Sequence, residues 1–165
     1  MFDLINGIPV HPLVVHAVVV LLPLAVLGTL LIAVVPRWRA TYGPLVVGAA
    51  LVSTILIPVA TSSGEELEKR VGDPGRHAEM GDMLIWFAVP LLVLVTALWW
   101  LARRQALAEA SEGHSAGTGP SKTLVTAVAA LAVVAALANA FQVYRVGDSG
   151  AKAVWEDSTS STTGN

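Results

Sequence analysis

Apolar residues along this chain fall in four long blocks, 13–35, 45–60, 83–101 and 124–144, none of which contains Asp, Glu, Lys or Arg. A bilayer core about 30 Å thick is crossed by about 20 helical residues, because each residue rises about 1.5 Å. Three blocks reach that length. The second is shorter and spans if its ends snorkel or the bilayer thins around it. Only helices and closed barrels satisfy their backbone in lipid, and continuous runs without period-2 alternation exclude a barrel. The pattern therefore predicts an all-α, four-helix transmembrane bundle.

The punctuation between the blocks is consistent with this. Pro12 suits the first turn of the first helix, where a missing N–H costs nothing. Asp73 and Pro74 predict an N-cap and first helical residue, so that the third helix begins before its apolar part. Pro23 and Pro90 lie inside spans, where proline kinks a helix and frees a carbonyl. The fourth helix is rich in small residues, Ala127, Ala130, Ala135, Ala138 and Asn139 among them, which let backbones approach closely in lipid. Residues 105–121 are expected to form a flexible loop, with His114 solvated within it. Residues 1–156 are assigned to one transmembrane domain and 157–165 to a disordered polar tail. The two helix pairs show no internal repeat that the residues alone establish.

Composition narrows the function classes. Charged residues make up 13% of the chain, against roughly 25% in soluble domains. A chain of 165 residues with four spans has no room for a soluble catalytic domain. Its net charge of −2 and lack of a basic, aromatic-interleaved patch exclude nucleic acid as a partner. With no cysteine, disulfides, iron–sulfur ligation, cysteine nucleophiles and palmitoylation are excluded. The segment before the first block lacks a basic n-region, so that block is expected to stay in the mature protein. The expected setting is a plasma membrane that the chain crosses several times.

Lys and Arg divide evenly between the two faces, so their number does not orient the chain. Their placement does. Arg37 and Arg39 flank Trp38 in the first turn, and Arg103 and Arg104 follow Trp99 and Trp100 at the end of the third block. Basic residues tight against span ends, beside interfacial aromatics, mark the cytoplasmic side. Both termini are then outside.

Polar residues converge on that outer face, with three of the four histidines: His11, His16 and His77. His16 lies about one turn inside the first span. An ionisable residue at that depth is costly, is expected to face the bundle interior and calls for a partner. His11 would point about 140° away from it on a regular helix, and is expected at the N-cap or headgroup level, a weaker metal-ligand candidate. His77, with Glu79 and Asp82, precedes the third span and matches no zinc motif. Haem iron accepts imidazoles from two helices of a bundle, and its propionates call for cations at the interface. His16 and His77 are therefore candidate haem-iron ligands, with Arg76, Arg145 and Lys152 placed for the propionates. The alternative is a neutral His16 hydrogen-bonded to Asn139 or a freed carbonyl for packing alone, and a His77 that only marks a solvated helix entrance. Gly147-Asp148-Ser149-Gly150 is expected to be a helix C-cap turn. No span carries a carboxylate or lysine at mid-depth, which disfavours a transporter or channel.

The segments Ile5-Asn6-Gly7-Ile8-Pro9-Val10-His11-Pro12-Leu13-Val14-Val15-His16, Thr61-Ser62-Ser63-Gly64-Glu65, His77-Ala78-Glu79-Met80-Gly81-Asp82 and Val143-Tyr144-Arg145-Val146-Gly147-Asp148-Ser149-Gly150-Ala151 resemble, in this order, the bacterial predicted membrane proteins called domain of unknown function 2231. The resemblance covers about residues 4–155. It implies four membrane helices with these motifs gathered at one face. It also implies a distant likeness to membrane b-type cytochromes and, through relatives beside Rieske-type domains, a redox partner protein. Histidine is expected in many relatives where Asp148 stands here. The combined expectation is a non-enzymatic electron-transfer subunit with haem b near the outer face. The competing class is a structural or accessory membrane protein binding a partner or its own copy as a homo-oligomer, with a small transporter third.

The orientation is checked by Ser115→Cys and Ser160→Cys in an otherwise cysteine-free chain. A membrane-impermeant thiol reagent applied to intact cells should label position 160 and spare 115. Labelling at 115 but not 160 inverts the topology.

Overall fold

The computed structural model describes residues 4–5, 8–71, 75–110 and 119–160, and it is an all-α, four-helix transmembrane bundle. A two-residue antiparallel ladder, β1 (Leu4–Ile5) with β2 (Ile8–Pro9), leads into α1 (Val10–Val34). A 3-10 turn, Pro36–Trp38, reverses the chain into α2 (Arg39–Val71). The third span is built from two helices, α3 (Arg76–Asp82) and α4 (Leu84–Ala110), broken at Met83; α5 (Lys122–Ser160) returns.

Local chemistry explains the joints. Val35 precedes proline and is pushed out of the helical region, to φ −111° and ψ 89°. The last turn of α1 then has orphan carbonyls. Arg39 donates from Nε to Ile32 O at 2.9 Å and from Nη2 to Ala33 O at 2.7 Å. An arginine expected only to orient the chain is thus also the cap that closes the first hairpin. Gly75 takes φ 58°, open to glycine at little cost, immediately before α3. Ser121 caps α5, its Oγ accepting from the Leu124 N–H at 3.2 Å.

The helices run beyond the apolar blocks. α2 continues through Thr61–Val71, because Glu, Leu and Lys are good helix formers and hydropathy marks only the part in lipid. For the same reason α4 reaches Ala110 through Gln105-Ala106-Leu107-Ala108-Glu109, so the expected loop begins later than residue 105. α5 passes straight through Gly147–Gly150, correcting the expected C-cap turn, and continues to Ser160 within the expected tail. Asp73, Pro74 and His114 lie outside the described residues.

Each helix packs on its two neighbours in the order α1, α2, α4, α5, and the diagonal pair α1 and α4 barely meets. The core is aliphatic and small: Leu22, Ala25, Ile32, Ala50, Ala88, Leu91, Leu98, Ala132 and Ala136 are buried. The outward face is apolar too, with Trp86 at 78% exposure and Val134 at 64%. In water such a surface would be an aggregation liability; in lipid it meets tails as apolar as itself.

A two-fold relation runs through the packing. Advancing from α1 to α3–α4 by one constant sequence displacement carries buried Val18 onto Leu84, Leu22 onto Ala88, Ala25 onto Leu91 and Ile32 onto Leu98. A second displacement carries α2 onto α5, matching buried Val46 with Ala132, Ala50 with Ala136 and Ser53 with Asn139. The two hairpins, α1 with α2 and α3–α4 with α5, thus bury corresponding positions.

Gly43 of α2 packs against the Trp99 side chain of α4. A Cβ built there would collide with Trp99 Cδ1, whereas one at Gly48 meets nothing within 4 Å. Gly43→Ala should destabilise the protein by about 1–3 kcal/mol through overpacking, and Gly48→Ala should change stability by less than about 0.5 kcal/mol. Thermal unfolding in detergent measures both; equal effects would contradict the close approach at Gly43.

Candidate functional site

A cleft of about 440 Å³ opens at the end of the bundle that carries the termini. That volume lies within the usual range for small-molecule pockets. Val15, Val18 and Leu22 from α1, Ile57 from α2, Leu84 from α4 and Val143 from α5 make its walls apolar. His11 and His77 also line it, on opposite hairpins.

Each histidine is the second residue of its helix, and each is held in the same way by the partner helix. His11 Nδ1 is 2.9 Å from Ala60 O, and 3.4 Å from Ser63 Oγ. His77 Nδ1 is 3.2 Å from Val146 O and 3.4 Å from Ser149 Oγ. Both serine hydroxyls donate to the same carbonyls, at 3.0 Å for Ser63 and 2.9 Å for Ser149. The next residue is glycine in both places. A Cβ at Gly64 would sit 3.0 Å from His11 Cε1, and one at Gly150 would sit 3.0 Å from His77 Cε1. Both rings therefore lie flush on a helix backbone.

This geometry fixes the imidazole chemistry. A carbonyl only accepts, so in the neutral ring Nδ1 carries the proton and Nε2 keeps its lone pair. Neither Nε2 has a hydrogen-bond partner among the described residues. A histidine whose Nδ1–H is spent on a carbonyl is oriented as metal-ligating histidines usually are.

His16 stands elsewhere. It is exposed on the outer side of α1, its Nδ1–H donating to Pro12 O of its own helix at 2.6 Å, and it does not line the cleft. The expectation that it faces the bundle interior is corrected. α1 is apolar on every side, so nothing in its pattern said which of His11 and His16 turns inward. The pair brought to one cleft is His11 with His77. Arg76 is exposed, and the Arg145 guanidinium lies 5.8 Å from the ring of Phe141 on the outward face of α5. Neither lines the cleft, whose charged residues are Glu65, Glu68 and Asp82. Lys152 pairs with Asp148 at 2.7 Å on the surface, and Glu79 is exposed outside the cleft. No cluster of three or more His, Asp or Glu side chains able to hold a metal ion occurs among the described residues.

Sequence reasoning missed Ser63, Gly64, Ser149 and Gly150 as partners of the histidines. The available signal was that Ser-Gly occurs at these two places and nowhere else in the chain.

The model of one family, described as "Predicted membrane protein (DUF2231)", matches residues 7–163. The chain belongs to this family. No curated protein and no solved structure matches it. The DUF2231 match takes in both hairpins with Ser63, Gly64, Ser149 and Gly150, and the protein is an integral membrane protein of that family.

Removing either clamped imidazole leaves one interhelical bond unmade. His11→Ala and His77→Ala should each cost about 0.6–2 kcal/mol, the range of interhelical hydrogen bonds in membranes. His16→Ala, whose bond is within its own helix, should cost less than about 0.5 kcal/mol. Thermal unfolding of the three variants in detergent checks the order; a larger loss for His16→Ala would refute this placement.

Proposed function

We propose that this DUF2231 protein is a membrane electron-transfer subunit that holds a b-type haem in the terminal cleft, with His11 and His77 as axial ligands. One observation carries the reading: two imidazoles on opposite hairpins flank a single apolar cleft, each with Nδ1 spent on a carbonyl and Nε2 unpartnered. The donor set suits the group. Two imidazoles are too few to hold a bare metal ion, but a macrocycle brings its own equatorial nitrogens and asks the protein only for axial ligands. Placing those ligands on diagonal helices, α1 and α3, leaves the space between them to the cofactor.

The residues divide the remaining work. The apolar walls contributed by Val15, Val18, Leu22, Ile57, Leu84 and Val143 would lower the local dielectric around a bound haem and so help to tune its potential. His11 and His77 would hold the haem, which when bound would supply one-electron chemistry. Glu65, Glu68 and Asp82 at the cleft would repel propionates, so the reading rests on the imidazole pair and not on Arg76 or Arg145. With the arginine-rich turns taken as cytoplasmic, the cleft opens on the outer face, where a redox partner protein would dock.

Absorption spectra of the detergent-purified protein, expressed with ample haem and recorded oxidised and reduced, test this. The expected result is a low-spin, bis-imidazole spectrum that survives His16→Ala and is lost in His11→Ala and in His77→Ala. A flat Soret region would overturn the haem reading. A spectrum lost in His16→Ala but kept in His11→Ala would overturn the choice of ligands.

A further inference from the structure

We infer that Ser63-Gly64 and Ser149-Gly150 are positioning residues: two equivalent imidazole clamps, one per hairpin, that fix the tautomer of His11 and of His77 and present both Nε2 atoms to the cleft. The inference stands on the protein's own geometry and holds whatever occupies the cleft.

Three features recur in each clamp. The first is a helix carbonyl, Ala60 O or Val146 O, that already receives its backbone bond four residues on and is approached also by an imidazole. The second is the serine three residues later. Its hydroxyl hydrogen is committed to that carbonyl, so an Oγ lone pair is left facing Nδ1–H at 3.4 Å. Serine thereby adds a second acceptor beside the first and offers no donor that would favour the opposite tautomer. The third is glycine at the next position. The ring edge approaches so closely that a methyl group at Gly64 would press on His11 Cε1 and Nδ1, at 3.0 and 3.2 Å. At Gly150 the corresponding distances to His77 are 3.0 and 3.1 Å.

The two clamps are related by the same displacements that relate the buried core of one hairpin to the other. His11 maps onto His77 with Val18 onto Leu84, and Ser63-Gly64 onto Ser149-Gly150 with Ala50 onto Ala136. A helix-packing requirement alone would not reproduce a carbonyl, a hydroxyl and a missing Cβ around the same ring atom twice. Other glycines of these helices, Gly48 and Gly147, have nothing within 4 Å of an added Cβ and so serve as internal controls.

Nitrogen-15 NMR of histidine-labelled protein in detergent reads the tautomer directly, assigned with single His variants. Both His11 and His77 should be protonated at Nδ1 and bare at Nε2 when neutral. Gly64→Ala should move the His11 ring off its carbonyl and lose that signature while His77 keeps it, and Gly150→Ala should do the reverse. Ser63→Ala and Ser149→Ala, gentler changes that keep the carbonyl, should each produce a smaller shift confined to the same histidine. Gly48→Ala and Gly147→Ala should leave both rings unchanged. The clamp is overturned if neither the glycine nor the serine variants alter their own histidine, or if the control glycines alter it equally. A protein that shows the clamp signatures but no Soret band would retain this inference while losing the haem reading.

Discussion

In lipid a donor has almost nowhere to go but a main-chain carbonyl, and most of this structure follows from that. Buried Thr29 and Ser53 return their hydroxyls to Ala25 O and Ala49 O, each at 2.7 Å and one turn back. Asn139 donates to Phe87 O at 2.7 Å, next to the carbonyl that Pro90 leaves without its N–H partner. Gln142 donates to Met80 O at 3.1 Å, and Arg39 closes the end of α1 on two more carbonyls. The histidines obey the same rule, and in doing so gain a defined tautomer. Satisfaction of buried donors and construction of the cleft are one operation here, because the same bond that makes the imidazole affordable in the bundle also aims it.

That rule also explains what the sequence discloses. The four spans were legible because a bilayer filters composition strongly, and a run without charge is hard to read otherwise. Helix ends were not, since Thr61–Val71 and Gln105–Ala110 are polar yet rich in helix formers, and hydropathy is blind to a helix outside lipid. The site was half legible. His77 is called for by position and lines the cleft, but α1 offers aliphatic residues on every side, so His16 looked buried by depth when it is exposed by azimuth. A carbonyl on another helix, which is what selects His11, leaves no trace in the residue it belongs to, because Ala60 and Val146 contribute only backbone.

The two-fold relation was hidden for a related reason. Lipid-facing positions accept any apolar side chain, so more than half of each helix is free to differ between the hairpins. Only where side chains enter the core or meet the clamps is choice restricted, and there the matches are by size and role. Ser53 and Asn139 occupy equivalent buried sites without being the same residue, each returning a hydrogen bond one turn back along its own helix, to Ala49 O and Ala135 O. Similarity of environment survives where identity does not.

The hairpins do differ at one structural point, the break at Met83. α1 carries His11 on a continuous helix, while His77 sits on the seven-residue α3, displaced from α4. A helix that short has little stability of its own. Its place is held from outside: Met80 is buried, its carbonyl receives Gln142, and His77 itself is bonded to Val146 O. Both outside bonds join α3 to α5, at Gln142 and Val146, which are four residues and about one turn apart on α5. His77 is thus positioned by α5 twice over, once through its own ring and once through the helix it rides on, whereas His11 needs α2 only for its ring. The two walls of the cleft are alike in chemistry and unlike in support: the His11 wall rides on a long continuous helix, and the His77 wall on a short helix that depends on tertiary contacts.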